Sequence, residues 1–269
     1  MERIATGPAT AMSPPGAPLS GAPAAFPAPA VPGLLDGMPR QRGPAPAADP
    51  AGTAPAARWW RLLPTPAGAP FTFAYAALLA VTSVVAALAD PAVVHALHQD
   101  SSTDVAHLLS TPVPVLLASA VWIAGGVVSP YALAFLVVLT ALERRIGGTR
   151  TACVFLAGHV LATLATEVPV GIAVLCGHLP GTSLHRLDYG ISFGVAASVG
   201  ALAGLLGPWL RWPLLTLVGG ALLNDLIVFA DPMTNWGHLI ALATGVAAWP
   251  LVRRWQRTPA PALAVPVPR

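Results

Sequence analysis

The chain reads as an all-α polytopic membrane protein, a bundle of six transmembrane helices. Three observations lead there. Of its 269 residues, 55% are hydrophobic and only 9% are charged, whereas soluble domains carry about 25% charged residues. Beyond residue 70 the sequence divides into six apolar runs, each close to the roughly 20 residues that cross a bilayer. The arginines, finally, fall almost entirely in alternate connections between those runs.

In chain order, residues 1–68 form an Ala/Pro/Gly-rich tail that holds 16 of the 30 prolines when counted to residue 70. Such composition cannot bury a core and is expected to be disordered. It has no basic stretch followed by a continuous apolar one, so it does not read as a signal peptide, and Met38 is an alternative start. The membrane domain is expected over 69–255. Its first span covers about 71–89. A polar stretch, 90–112, follows with His95, His98, Asp100, Asp104 and His107. The apolar sequence from 113 to Leu142 is too long for one span and is interrupted by Gly125, Gly126 and Pro130. It is expected to supply a partly embedded loop and a second span, about 126–142. Further spans are expected near 151–174, 190–206, 213–229 and 236–252, with a short tail over 256–269.

Charge sets the orientation. Arg58 and Arg61, then Arg144, Arg145 and Arg150, then Arg211, then Arg253, Arg254 and Arg257 flank one set of helix ends. The opposite connections contain only Arg186. The positive-inside rule places both termini in the cytoplasm, in a plasma-membrane protein. All 14 basic residues are arginine. A lysine-free, Ala/Pro-rich chain points to a GC-rich bacterial genome, and it has no lysine base or Schiff base to offer. Cys153 and Cys176 lie about 34 Å apart along one helix, too far for a disulfide, and are expected to be packing residues.

Ionisable groups inside spans are candidates for function. This topology puts Ser192, His238, Asp225 and Glu167 in the outer leaflet, with His159 nearer the middle. A serine becomes a nucleophile when a neighbouring imidazole accepts its proton. Ser192 shares a helical face with Ala196, Val199 and Ala203, and His238 shares one with Ala241 and Gly245. Small residues of this kind let helices approach closely. Free amides at the start of span four, around Gly190, Ile191, Phe193 and Gly194, are placed to hold an oxyanion. Asp188 is expected to cap that helix, or else to orient His238. His159 and Glu167 lie on one face and are expected to pair with Asp225 or His238, as a polar network between helices. Taken singly, each residue also has an ordinary packing or capping role.

These residues resemble the rhomboid family of intramembrane serine proteases. "GIS" at Gly190–Ser192 resembles the family's G-x-S-G opening of helix four, and "GHLIALATG" at Gly237–Gly245 resembles its helix-six histidine segment. "ALERRIGGTR" (141–150) is similar to its E-x-x-x-G turn, here Glu143 and Gly147 with Arg145 between. "PVPVLLASAVW" (112–122) resembles its partly embedded segment. The resemblance covers about 71–254 and implies a Ser192–His238 dyad. It departs at Phe193, where the family has glycine, with Gly194 one place later. Ala241 also replaces a usual glycine. "GGVVSPYAL" lacks the helix-two His-x-x-x-Asn pair that binds the oxyanion.

Three functions compete. The first is an intramembrane serine endopeptidase acting on membrane-protein substrates near the outer leaflet. The second is an inactive rhomboid-like protein that binds membrane clients; the third is a proton-linked carrier relaying through His159, Glu167, Asp225 and His238. Carriers pair broken helices, a pattern not evident here. His95, His98 and His107 lack the cysteine framework of a structural metal site and read as solvated loop histidines, so neither metal nor cofactor is expected. Topology accounts for the arginines, and no nucleic-acid partner is expected beside the lipid bilayer. If the dyad exists, Ser192 Oγ lies near a His238 ring nitrogen in a cavity between helices in contact.

Overall fold

A computed structural model describes residues 63–229 and 231–258. Most of the tail expected over 1–68, Arg58 and Arg61 within it, and residues 259–269 lie outside the described residues. All regular structure among the described residues is helical.

Helix α1, Pro70–Leu88, begins with a proline in its first turn and has no cap from its own residues. Glu143 supplies one from across the bundle. Its Oε1 accepts the Phe71 amide at 2.9 Å, and its Oε2 accepts the Thr72 amide and hydroxyl, both at 2.7 Å. A carboxylate at a helix N-terminus satisfies orphan amides and meets the positive end of the dipole. Gly147, with φ of 87°, donates to the Glu143 carbonyl at 2.7 Å and turns the chain. The E-x-x-x-G turn is thus a clamp on α1. Arg145 only reaches back to the Ala141 carbonyl.

The polar stretch 90–112 differs from expectation. It folds into α2 (Pro91–Asp100) and α3 (Val105–Ser110), and the connection Ser101–Asp104 between them is buried. Asp90 and Asp104 cap the two helices through their side chains, which is why a loop-like composition gives short helices. Helix α4, Pro112–Ser119, follows. The second span begins later than expected and ends later. Ser129 caps it and Pro130 opens it, giving α5 (Pro130–Ala134), a π-helical turn (Phe135–Leu139) and α6 (Thr140–Ile146).

Helix α7, Gly148–Leu175, has 28 residues, about 42 Å long at 1.5 Å per residue. Helix α8, Ser192–Ala203, has 12 and spans only about 18 Å. It occupies the centre: every residue from Phe193 to Ala203 is buried. Helices α9 (Pro208–Val228), α10 (Pro232–Ala247) and α11 (Trp249–Arg257) complete the bundle. Helices α1, α7 and α9 are long and apolar enough to cross a membrane. Helix α9 is peripheral, with Leu222 its only buried residue.

Helices α8 and α10 run parallel in direct contact. A Cβ on Gly245 would lie 1.9 Å from the Ala197 carbonyl oxygen, and one on Gly200 would lie 2.3 Å from the Leu242 carbonyl oxygen. Only glycine permits that approach. On α10 the seam includes the expected Gly245, whereas on α8 it runs through Ala197, Gly200 and Gly204, one position on from the face expected for Ser192. The cysteines differ from expectation: both are free and exposed rather than packed.

Two substitutions test this framework. Gly245→Ala forces the seam apart and should destabilise the bundle by about 1–3 kcal/mol, the usual range for overpacking, read as a lower unfolding midpoint in detergent. Glu143→Ala strands buried donors at the start of α1 and should lose about 1–3 kcal/mol in the same assay.

Candidate active site

The approach to α8 is built by stitching. Gly190, with φ of 125°, adopts a backbone that side-chain-bearing residues avoid. Its amide donates to the Ser119 carbonyl at 2.9 Å, and the Ile191 amide donates to the Trp122 carbonyl at 3.1 Å. The segment after α4 thus holds the chain just before Ser192. From the other side, Thr103 donates its amide to the Asp188 carbonyl at 2.7 Å, and the Asp188 amide donates to Ser102 Oγ at 2.9 Å.

Ser192 is the first residue of α8 and is half-buried. Among the described residues, the amides of Ser192, Phe193 and Gly194 have no acceptor, whereas Val195 already donates to the Ile191 carbonyl. These are the orphan donors of a helix N-terminus. Ser192 and His238 line one cavity of about 310 Å³, together with Tyr131, Asp188, Tyr189 and Asp231. Larger grooves on the bundle surface, about 400 and 360 Å³, are almost wholly apolar and hold neither residue.

His238 is 5% exposed. Its ring stacks on Tyr131, with centroids 4.9 Å apart and planes 18° apart, and meets the edge of Phe193 at 5.1 Å. Neither ring nitrogen has a hydrogen-bond partner among the described residues. No hydrogen bond joins Ser192 to His238. Phe193 turns into the bundle, 3% exposed, and does not line the cavity. Room for its ring comes from Gly237, where a Cβ would lie 2.5 Å from the ring. The bulk that replaces the family's glycine is therefore absorbed on the α10 side.

The polar groups expected to form one network with Asp225 or His238 have other partners. His159 Nε2 is hydrogen-bonded to Ser119 Oγ at 2.9 Å, fully within the bundle. Glu167 is bound by Arg186. Asp225 is exposed on α9, and its carbonyl accepts from Asn235. Asp188 does not cap α8, whose N-cap, Ile191, has no side-chain cap. Its carboxylate instead accepts from the Thr103 hydroxyl at 3.3 Å and faces Arg186 at 3.6 Å. Burial pushes the Asp188 carboxyl above its ordinary value, against the pull of Arg186 and Thr103.

Of the histidines in the polar stretch, His95 is exposed, whereas His98 and His107 have partners. His98 stacks on Tyr189 at 4.2 Å and meets Trp122 edge-on at 4.7 Å. Burial, with His95 nearby, lowers its pKa below the usual value. His107 Nδ1 pairs with Asp104 at 2.9 Å.

Sequence reasoning missed Tyr131, Ser119 and Arg186 as parts of the site. Nothing in the sequence marks Ser119 or Tyr131. Arg186 did carry a signal: it is the one arginine among connections otherwise free of them.

A family profile described as rhomboid-like protein matches residues 67–258. No curated protein and no solved structure is significantly similar to the chain.

Ser119→Ala should leave the His159 ring, already unpaired at Nδ1, without its remaining partner. The expected loss is about 1–3 kcal/mol, measured by thermal unfolding. A variant as stable as the unmodified chain would show that this pair does not support the α8 approach.

Proposed function

The chain belongs to the rhomboid-like protein family, and from that premise we propose that it is an intramembrane serine endopeptidase acting near the outer leaflet. The observation that carries this reading is the shared cavity: Ser192 and His238 line it from two parallel helices in close contact. Ser192 Oγ attacks a substrate carbonyl while His238 accepts its proton, then returns the proton to the leaving amine. The unclaimed amides of Ser192, Phe193 and Gly194 face the developing oxyanion, in the role that backbone donors commonly take. Catalytic hydrogen bonds are often long without substrate and tighten when it binds, so the unpaired His238 nitrogens in a cavity shared with Ser192 accord with this chemistry. The arginine distribution supports a plasma-membrane protein with both termini in the cytoplasm.

A second reading has its own support. An inactive chain that binds membrane clients accounts for the missing Ser192–His238 bond and for the lack of a His/Asn pair on α5.

Labelling in membranes with a fluorophosphonate separates the two. For the protease, Ser192→Ala abolishes labelling and His238→Ala slows it by roughly 10²–10⁴-fold, the usual share of a general base. If the unmodified chain stays unlabelled beside a labelled active rhomboid, the client-binding reading takes its place.

A further inference from the structure

Arg186 sits where three parts of the bundle meet. Its Nη2 binds Glu167 of α7, a side chain 1% exposed. Its Nη1 donates to the Thr234 hydroxyl of α10 at 3.1 Å and lies 3.8 Å from Asp231, the N-cap of the same helix. The same guanidinium lies 3.6 Å from Asp188, and its own carbonyl accepts from Ser102 Oγ at 3.2 Å. One cation thus serves three carboxylates. Burial works to lower the Arg186 pKa, but those carboxylates outweigh it and hold the pKa above its ordinary value.

The connectivity gives this cluster a consequence for the site. Among the described residues, the Arg186–Thr234 bond is the only hydrogen bond between the 186–191 segment and α10. That segment delivers Ser192, and the first turns of α10 deliver His238. The glycine-lined seam sets the register of the two helices from Phe193 onward, but its contacts do not reach the 186–191 segment that leads into Ser192. There a planar fork with fixed donor directions holds the chain.

We propose that Arg186 is a positioning residue that fixes the separation of Ser192 and His238 by tying the approach to α8 to the start of α10, with Glu167 as its anchor. This rests on reading those two residues as the reacting pair. Lysine is a poor substitute, because an ammonium lacks the guanidinium's fork. The ordinary alternative is that Arg186 only neutralises the buried Glu167. The two accounts part in the paired variant Arg186→Gln/Glu167→Gln. Removing both charges spares Glu167 the buried unpaired state that makes single removals strongly destabilising, and Asp188 keeps its bond from the Thr103 hydroxyl.

The experiment uses the full chain in membranes. Cys153 and Cys176 are replaced by alanine, and Ser192→Cys/His238→Cys is cross-linked by a short bis-methanethiosulfonate, with and without the Arg186→Gln/Glu167→Gln pair. Loss of the cross-link in a chain that still unfolds cooperatively is the expected result. An undiminished cross-link would overturn the proposal whether or not the protein cleaves anything. In a parallel arm, the native Ser192/His238 chain carrying the same Gln pair should label with fluorophosphonate about ten- to a hundredfold more slowly, in line with the effect of a misplacement near 1 Å. Labelling at the unmodified rate would leave Arg186 a charge neutraliser. If the unmodified chain does not label at all, the protease reading fails, and the cross-link alone decides the role of Arg186. Arg186→Lys should retain folding but regain neither signal fully.

Discussion

The close parallel approach of α8 and α10 is the constraint on which the rest of the structure depends. Phe193 meets His238, Gly200 meets Gly245 and Gly204 meets Trp249, the same offset along the whole contact. The register is unbroken because glycine on each helix faces the other's backbone. With no hydrophobic drive between helices in lipid, such packing is what association relies on. Ser192 and His238 come to one end of the bundle as a result of this register. Neither residue specifies it.

A 12-residue central helix leaves a set of orphan backbone groups at each end, and the chain treats each end differently. At the start of α8 the amides remain unclaimed, and the surrounding chain is held by bonds to Ser119, Trp122 and the 102–103 connection. At the other end the carbonyls are fully served. Arg211 donates to Ala203 and Leu206, Arg253 to Gly204 and the Trp249 indole to Gly200. Both guanidiniums lie about 5 Å from the Trp249 ring, at 5.1 and 5.0 Å, where a cation is attracted to the face of the indole. Two of the arginines that mark one face of the membrane in the sequence are therefore also C-terminal caps.

The surroundings of His238 show how a departure from a family pattern is absorbed. Phe193 replaces a glycine, yet its ring packs inward because Gly237 leaves space for it. Tyr131 on α5 covers the other face of the imidazole, on the same helical segment that lacks the His/Asn pair. An aromatic sandwich holds the ring by shape rather than by a hydrogen bond, and both ring nitrogens are left without a partner in the chain.

Much of this protein was legible in one dimension. A bilayer demands long apolar runs and an arginine bias, both of which are written locally, so the helical bundle and the order of its apolar segments could be read from composition and spacing. Glu143 and Gly147 were legible only through the resemblance of "ALERRIGGTR" to the rhomboid E-x-x-x-G turn. Boundaries moved where a cap decided them, as at Ser129 and Pro130. Partner choice was not legible. Glu167 was matched by depth to Asp225 or His238, yet it binds Arg186; Asp188 was matched by proximity to the start of α8, yet it binds Thr103 and faces Arg186. His159 found Ser119, forty residues away. Helical periodicity states which side chains share a face. Which foreign helix or connection that face meets, and at what register, follows from how glycine-sized gaps and buried charges are resolved together in three dimensions, and only the tertiary structure decided that.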